Sequence, residues 1–240
     1  LASVEVNNIV AGYGDKLLIR NLSFIGGSPV FIAIIGHNGS GKTTLFKALT
    51  AQIAFTGSIH IYNHTIKPGS APASKGLVAL LAQKNTVSFS IPVKELVVMG
   101  RFRLKRFFEA YNSTDYKEVI TILDELGMSH LAERNFLELS GGEQQMIWLA
   151  QLMVQDARVY LLDEPTQQLD VYNKKRVFEL MMSWVKNHNK TVLCITHDLH
   201  YLEQMEGYLL NLSAVNPVLE PINHSSVERN IQLLENKQSF

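Results

Sequence analysis

An uninterrupted apolar run, Val30-Phe31-Ile32-Ala33-Ile34-Ile35, breaks at Gly36 into the octapeptide Gly36-His37-Asn38-Gly39-Ser40-Gly41-Lys42-Thr43. The run is apolar at every position and bounded by Pro29 and Gly36, which is how a strand buried on both faces reads. The octapeptide matches G-x-x-x-x-G-K-[ST] in full. Its glycines let backbone N–H groups converge, and a helix expected from about Gly41 to Gln52 adds the positive end of its dipole. Strand, glycine loop and helix in direct succession predict a cradle for a nucleoside triphosphate. Lys42 is placed to reach its β- and γ-phosphates, Thr43 to set its hydroxyl on Mg²⁺, and Thr44 to close the cradle.

The remaining pattern predicts an α/β chain interrupted once. Residues 3–7 alternate, 17–24 read as a second strand, and Ala11-Gly12-Tyr13-Gly14-Asp15 between them reads as a turn. Residues 57–62 and 77–82 are further strand candidates. From 93 to 156 strand signals vanish, and helices are expected around Leu96, over 115–127 with Gly127 as stop, and from Ser140. Buried-strand character then returns at 159–162 and 191–196, with helices over 171–187 and 199–205. Alternation of buried strands with helices argues a mostly parallel sheet. The expected organisation is a single domain over 1–240, with a core of 1–90 and 157–240 and an inserted helical subdomain at 91–156. Ser225 and Glu228 have capping-box spacing for a last short helix.

Two further stretches carry chemistry. Val159-Tyr160-Leu161-Leu162-Asp163-Glu164 is an apolar strand ending in two carboxylates. Adjacent buried carboxylates are costly unless a cation or hydrogen bonds hold them. At the carboxyl edge of an open sheet, where ligands bind, Asp163 is expected in a Mg²⁺ shell and Glu164 against an attacking water. Upstream lies Leu139-Ser140-Gly141-Gly142-Glu143-Gln144-Gln145. There Ser140 can cap a helix, and Gly141 and Gly142 allow a close approach to an anion.

With these residues in this order, the chain resembles the ATP-binding cassette (ABC) ATPases over nearly its whole length, and the resemblance implies their P-loop fold with an N-terminal antiparallel β-subdomain. Leu139–Glu143 resembles the family signature, whose Ser140, Gly141, Gly142 and Glu143 would face the γ-phosphate of ATP bound to a second copy. The resemblance gives Tyr13 the part of an aromatic stacked on adenine. Gln83 becomes the Q-loop residue at Mg²⁺ or water, residues 166–170 the D-loop, and His197 the switch histidine at the γ-phosphate. It implies ATP and Mg²⁺ as ligands and an ATP-sandwich homodimer. It further implies transmembrane permease subunits, a periplasmic or surface substrate-binding protein as an indirect partner, and a place on the cytoplasmic face of the membrane. Pro92-Val93-Lys94-Glu95-Leu96-Val97-Val98-Met99-Gly100-Arg101 is similar to the importers of iron–siderophore, haem and cobalamin complexes, and zinc and manganese importers share much of it. The chain departs from the pattern at Gln167, Met146 and Gln151, where Ser or Asn, Arg, and Arg are common. Residues 207–221 lack the usual glycine hairpin.

Composition bounds the alternatives. The 22 basic and 22 acidic residues balance, so the chain as a whole has no polyelectrolyte signature for nucleic acid, and no nucleic-acid partner is expected. A soluble ABC ATPase acting on ribosomes or nucleic acid would want a basic groove or a second cassette. A P-loop kinase would not account for residues 139–143. No apolar run reaches the roughly 18 residues needed to span a bilayer, and no secretory signal opens the sequence. The single cysteine, Cys194, lies in an apolar run and reads as core. Arg101-Phe102-Arg103-Leu104-Lys105-Arg106-Phe107-Phe108 is expected as a solvated loop with its aromatics tucked inward, contact with a membrane partner being the next reading. The scattered histidines show no metal-ligand spacing.

Overall fold

A computed structural model describes residues 2–106 and 108–236. The chain opens on a long antiparallel pair, β1 (Val4–Tyr13) and β2 (Lys16–Gly26), joined at Gly14 and Asp15. Ladder bonds carry β1 through Tyr13, so the turn expected over residues 11–15 is shorter and later: Gly12 pairs with Leu17 and Tyr13 with Lys16. β3 (Phe31–Ile35) leads into α1 (Lys42–Leu49), followed by β4 (Phe55–Ile61), β5 (His64–Ile66) and β6 (Val78–Leu81). The middle holds α2 (Val93–Val98), a 3-10 turn at Met99–Leu104, α3 (Ser113–Glu125) and α4 (Gly141–Met153). β7 (Val159–Asp163), α5 (Val171–Lys186), β8 (Thr191–Ile195), α6 (Leu199–Leu202), β9 (Tyr208–Asn211), β10 (Leu219–Pro221) and α7 (His224–Asn236) complete the chain.

Two sheets result. One is antiparallel in the order β2-β1-β4-β5; the other runs β10-β9-β3-β8-β7-β6, parallel except for β10. β3 lies between β8 and β9, and its residues divide between two cores. Ile32 and Ile34 pack with α1 and the antiparallel sheet, while Phe31, Ala33 and Ile35 face the cluster built from α2 to α5. That is the double burial its unbroken apolar sequence demands. Each large aliphatic side chain so buried contributes about 1.5–3 kcal/mol against chain entropy.

Local caps set the helix starts. Ser140 and Glu143 form a reciprocal capping box on α4, and Asn112 and Asp115 form one on α3. The expected box at Ser225 and Glu228 is displaced. Asn223 Oδ1 accepts from the Ser226 N–H at 2.9 Å and Ser226 Oγ accepts from the Asn223 N–H at 3.0 Å, because α7 begins earlier. The helix expected over 199–205 ends at Leu202.

Candidate functional site

The carboxyl ends of β3, β7 and β8 converge. Gly41 caps α1 with φ +97°, a left-handed conformation that glycine adopts without strain. The Ser40 N–H donates to the His37 carbonyl at 3.1 Å, closing the loop. Lys42 is buried, and its Nζ donates to the carbonyls of Gly36 at 2.7 Å and His37 at 3.1 Å. Burial pulls the Lys42 pKa down, against the pull of Glu164 and Asp163. Ser40 Oγ and His37 Nε2 are buried without hydrogen-bond partners, an arrangement that an incoming group with several acceptors satisfies.

Thr43 Oγ1 donates to Asp163 Oδ2 at 2.9 Å, across 120 residues of sequence. Burial raises the Asp163 pKa, the Thr43 hydroxyl opposes it, and the Glu164 charge adds to it. A buried carboxylate beside one hydroxyl suits Mg²⁺, which takes few protein oxygens and completes its shell with water and phosphate. Glu164 follows with φ +54°, a left-handed backbone conformation uncommon for a side chain larger than glycine. Its Oε2 accepts from Gln83 Nε2 at 2.9 Å, and its Oε1 lies 3.2 Å from His197 Nε2. A cleft of about 640 Å³ is lined by Gly36, His37, Asn38, Gln83, Glu164, Gln167, His197 and Leu234. Of the expected residues, the fold therefore brings Lys42, Thr43, Asp163, Glu164, Gln83 and His197 to one place. Tyr13 stands exposed at the end of β1, its ring centroid 5.3 Å from Lys47 Nζ on α1.

Residues 139–143 do not line that cleft. Gly141 lines a neighbouring cavity, with Gln145 and Trp148, that shares Gln83, Glu164 and Gln167 with it, and a Cβ built on Gly141 meets nothing within 4 Å. The Glu143 carboxyl, held by the Ser140 hydroxyl and N–H, is pulled below its ordinary pKa. The departures acquire physical places. Met146 is buried in the helical core, and Gln151 Nε2 donates to the Leu96 carbonyl at 3.0 Å, joining α4 to α2. Four contacts have no signal in the sequence. Gln145 Nε2 donates to the Pro165 carbonyl at 2.7 Å. Asp198 accepts from Thr166 Oγ1 at 2.6 Å and Lys174 Nζ at 2.5 Å. The His37 N–H donates to Ser213 Oγ at 2.8 Å. Each joins residues 20 or more apart, where no local spacing signals the pairing.

The basic–aromatic run inverts its expectation. Arg101 donates to Asp115 at 2.8 Å, Lys105 pairs with the same carboxylate, and Arg103 donates to the Gln155 carbonyl at 2.9 Å. Phe102 and Phe108 instead stand in solvent, 74% and 95% exposed. Charges fold in because Asp115 and the end of α4 offer them partners, and the aromatics are turned outward. Phe107 lies outside the described residues.

Comparison with known proteins bears on this geometry. Residues 19–167 match the family model described as ABC transporter. The achromobactin transport ATP-binding protein CbrD of Dickeya dadantii is 31% identical over 83% of this chain and 75% of its own. The iron(3+)-hydroxamate import ATP-binding protein FhuC of Bacillus subtilis is 29% identical over 88% and 78%. The manganese transport system ATP-binding protein MntB of Halalkalibacterium halodurans is 28% identical over 95% and 92%. Among solved structures, a chain of a metal-chelate type ABC transporter in an inward-facing conformation superposes with TM-score 0.85 at 27% identity, covering 98% of this chain and 89% of that one.

Proposed function

The chain belongs to the ABC transporter family and is an ATPase, and from that premise we propose that two copies power import of a metal chelate such as an iron–siderophore, haem or cobalamin complex. The observation that carries the reading is that the phosphate loop and Glu164 line one cleft while Gly141 of the capped signature lines a neighbouring cavity, where a Cβ on it would meet nothing within 4 Å. A second copy docked head to tail would set Ser140, Gly141, Gly142 and Glu143 of each chain on the γ-phosphate held by the other.

Gly36, His37, Asn38, Gly39, Ser40, Gly41 and Thr44 cradle the phosphates, and Lys42 exchanges its loop carbonyls for phosphate oxygens. Thr43, Asp163 and Gln83 would hold Mg²⁺, which when bound would supply charge neutralisation at the phosphate oxygens. Glu164 orients the attacking water and takes its proton as the new O–P bond forms and the bond to ADP breaks. His197 and Gln83 keep the Glu164 carboxylate aimed, from 3.2 and 2.9 Å, and His197 turns to the γ-phosphate as the cleft closes. Tyr13 stacks on adenine. Closure then does mechanical work on permease subunits at the cytoplasmic face of the membrane. No helix among the described residues is long and apolar enough to cross a membrane. Exposed Phe102 would offer the permease subunits an apolar contact. The relative named for iron(3+)-hydroxamate import and the solved metal-chelate type transporter support the chelate cargo; manganese import is the second reading, carried by a relative matched over 95% of this chain.

The test is affinity purification of the tagged chain from detergent-solubilised native membranes, beside Phe102→Glu. A stoichiometric polytopic protein with the wild type, depleted at least several-fold with the variant, is expected. Transport of a chelate rather than the free ion by the reconstituted complex assigns the cargo. Recovery with ribosomes or nucleic acid and no membrane protein would overturn the reading.

A further inference from the structure

The phosphate loop is held from behind by a partly buried polar relay that ends in the C-terminal helix. Ser213 Oγ accepts the His37 N–H at 2.8 Å. The Ser213 N–H in turn donates to Asn211 Oδ1 at 2.8 Å, and Asn211 Nδ2 donates to Asn230 Oδ1 of α7 at 2.7 Å. Asn230 Nδ2 donates to the Ser226 carbonyl at 2.8 Å and to Glu220 Oε1 at 2.6 Å. Asn211 and Asn230 are both buried, and in each amide both the oxygen and the nitrogen are engaged. Such a network fixes orientation, because turning either amide would leave buried donors unpaired.

The relay helps to fix one residue of the loop, His37, at both of its backbone groups. The His37 carbonyl is already taken by the Ser40 N–H and by Lys42 Nζ, so Ser213 completes the restraint at the amide end of the same residue. Packing agrees: Gly36 has φ +148°, and a Cβ there would lie 2.5 Å from Ser40 Oγ and 3.1 Å from Ser213 Oγ. α7 also reaches the cleft directly, through Leu234, which lines it together with His37 and Asn38. The hydrogen bonds of the Glu164 carboxylate run to Gln83 and His197 instead.

We infer that Ser213, braced through Asn211 by Asn230, is a positioning residue for the phosphate loop, and that α7 thereby sets the affinity for ATP and not the rate of the chemical step. A loop ordered before the nucleotide arrives spends less binding free energy on its own ordering. Residues 207–221, which lack the family's glycine hairpin, thereby acquire a structural role, because they carry Ser213 to the back of the loop.

This rests on the ATPase reading, and the experiment separates the two. ATP hydrolysis by the isolated chain is measured against ATP concentration for wild type, Ser213→Ala, Ser213→Thr, Asn230→Ala and the double variant, with Tm recorded for each. The expected result is KM raised roughly five-fold in Ser213→Ala, the effect of one lost hydrogen bond, with kcat within two-fold and Tm unchanged. Ser213→Thr, which keeps the hydroxyl, returns KM toward wild type. The double variant is no worse than Ser213→Ala, as members of one relay require. A wild-type KM in Ser213→Ala overturns the inference, whatever Asn230→Ala does. So does a joint loss of kcat and KM that tracks a falling Tm. A wild-type chain that neither binds nor hydrolyses ATP would instead sink the ATPase reading itself.

Discussion

At the scale of single residues, the cleft gathers charged and polar groups at the carboxyl ends of the strands, partly withdrawn from water. Lys42 is the clearest case: a buried ammonium whose pKa burial depresses, satisfied by two carbonyls of the loop it belongs to. Lys42→Ala should bring ATP hydrolysis to background and weaken ATP binding at least ten-fold. Steady-state hydrolysis and calorimetric titration check it; wild-type turnover would remove Lys42 from the phosphates. Legibility at this scale is high for the octapeptide and the Asp163-Glu164 pair, because their spacing is local and their chemistry needs contiguous residues. It fails for Ser213, Asp198 and Gln145, which are ordinary polar residues until the fold sets them against His37, Thr166 and Pro165.

At the scale of elements, the helical insertion depends on one buried carboxylate. Asp115 receives the Asn112 N–H at 2.8 Å, Arg101 at 2.8 Å and Lys105, and so ties the Met99–Leu104 turn to the start of α3. Burial pushes its carboxyl up, but the Asn112 N–H and the two cations outweigh this and hold its pKa well below the usual carboxylate range. Asp115→Asn leaves two inward cations without their shared counter-charge and should cost about 3 kcal/mol of stability, measured by urea unfolding. The sign of its pH dependence follows. A carboxyl with a depressed folded pKa stabilises fully above its unfolded value of about 4, and that stability drains as pH falls toward the folded value. Wild type should therefore weaken steadily below about pH 4, and Asp115→Asn should show a flatter acid limb. Equal acid limbs would mean that Asp115 is not the group responsible. The run at residues 101–108 is illegible at this scale because a sequence shows the charges but not that Asp115, fourteen positions beyond Arg101, turns them inward.

At the scale of the whole molecule, the incomplete site predicts assembly. Glu164→Gln keeps the cradle but loses the proton acceptor. It should hydrolyse ATP at least 100-fold more slowly and accumulate as an ATP-bound dimer by light scattering, while wild type returns to monomer. A variant that stays monomeric with ATP would count against Glu164 as the base. The sequence by itself determined the alternation of buried strands with helices, the phosphate loop, the acidic strand end and the helical insertion. Each of these is written in periodicity or in residues next to one another, where backbone geometry leaves few options. Only the tertiary structure decided which distant side chains meet. Thr43 finds Asp163 across 120 positions, and His37 finds Ser213 across 176, because β3, β7, β8 and β9 hydrogen-bond side by side in an order unlike their order in the chain. That order is set by packing both faces of one sheet at once, a property of the whole chain that no short segment carries.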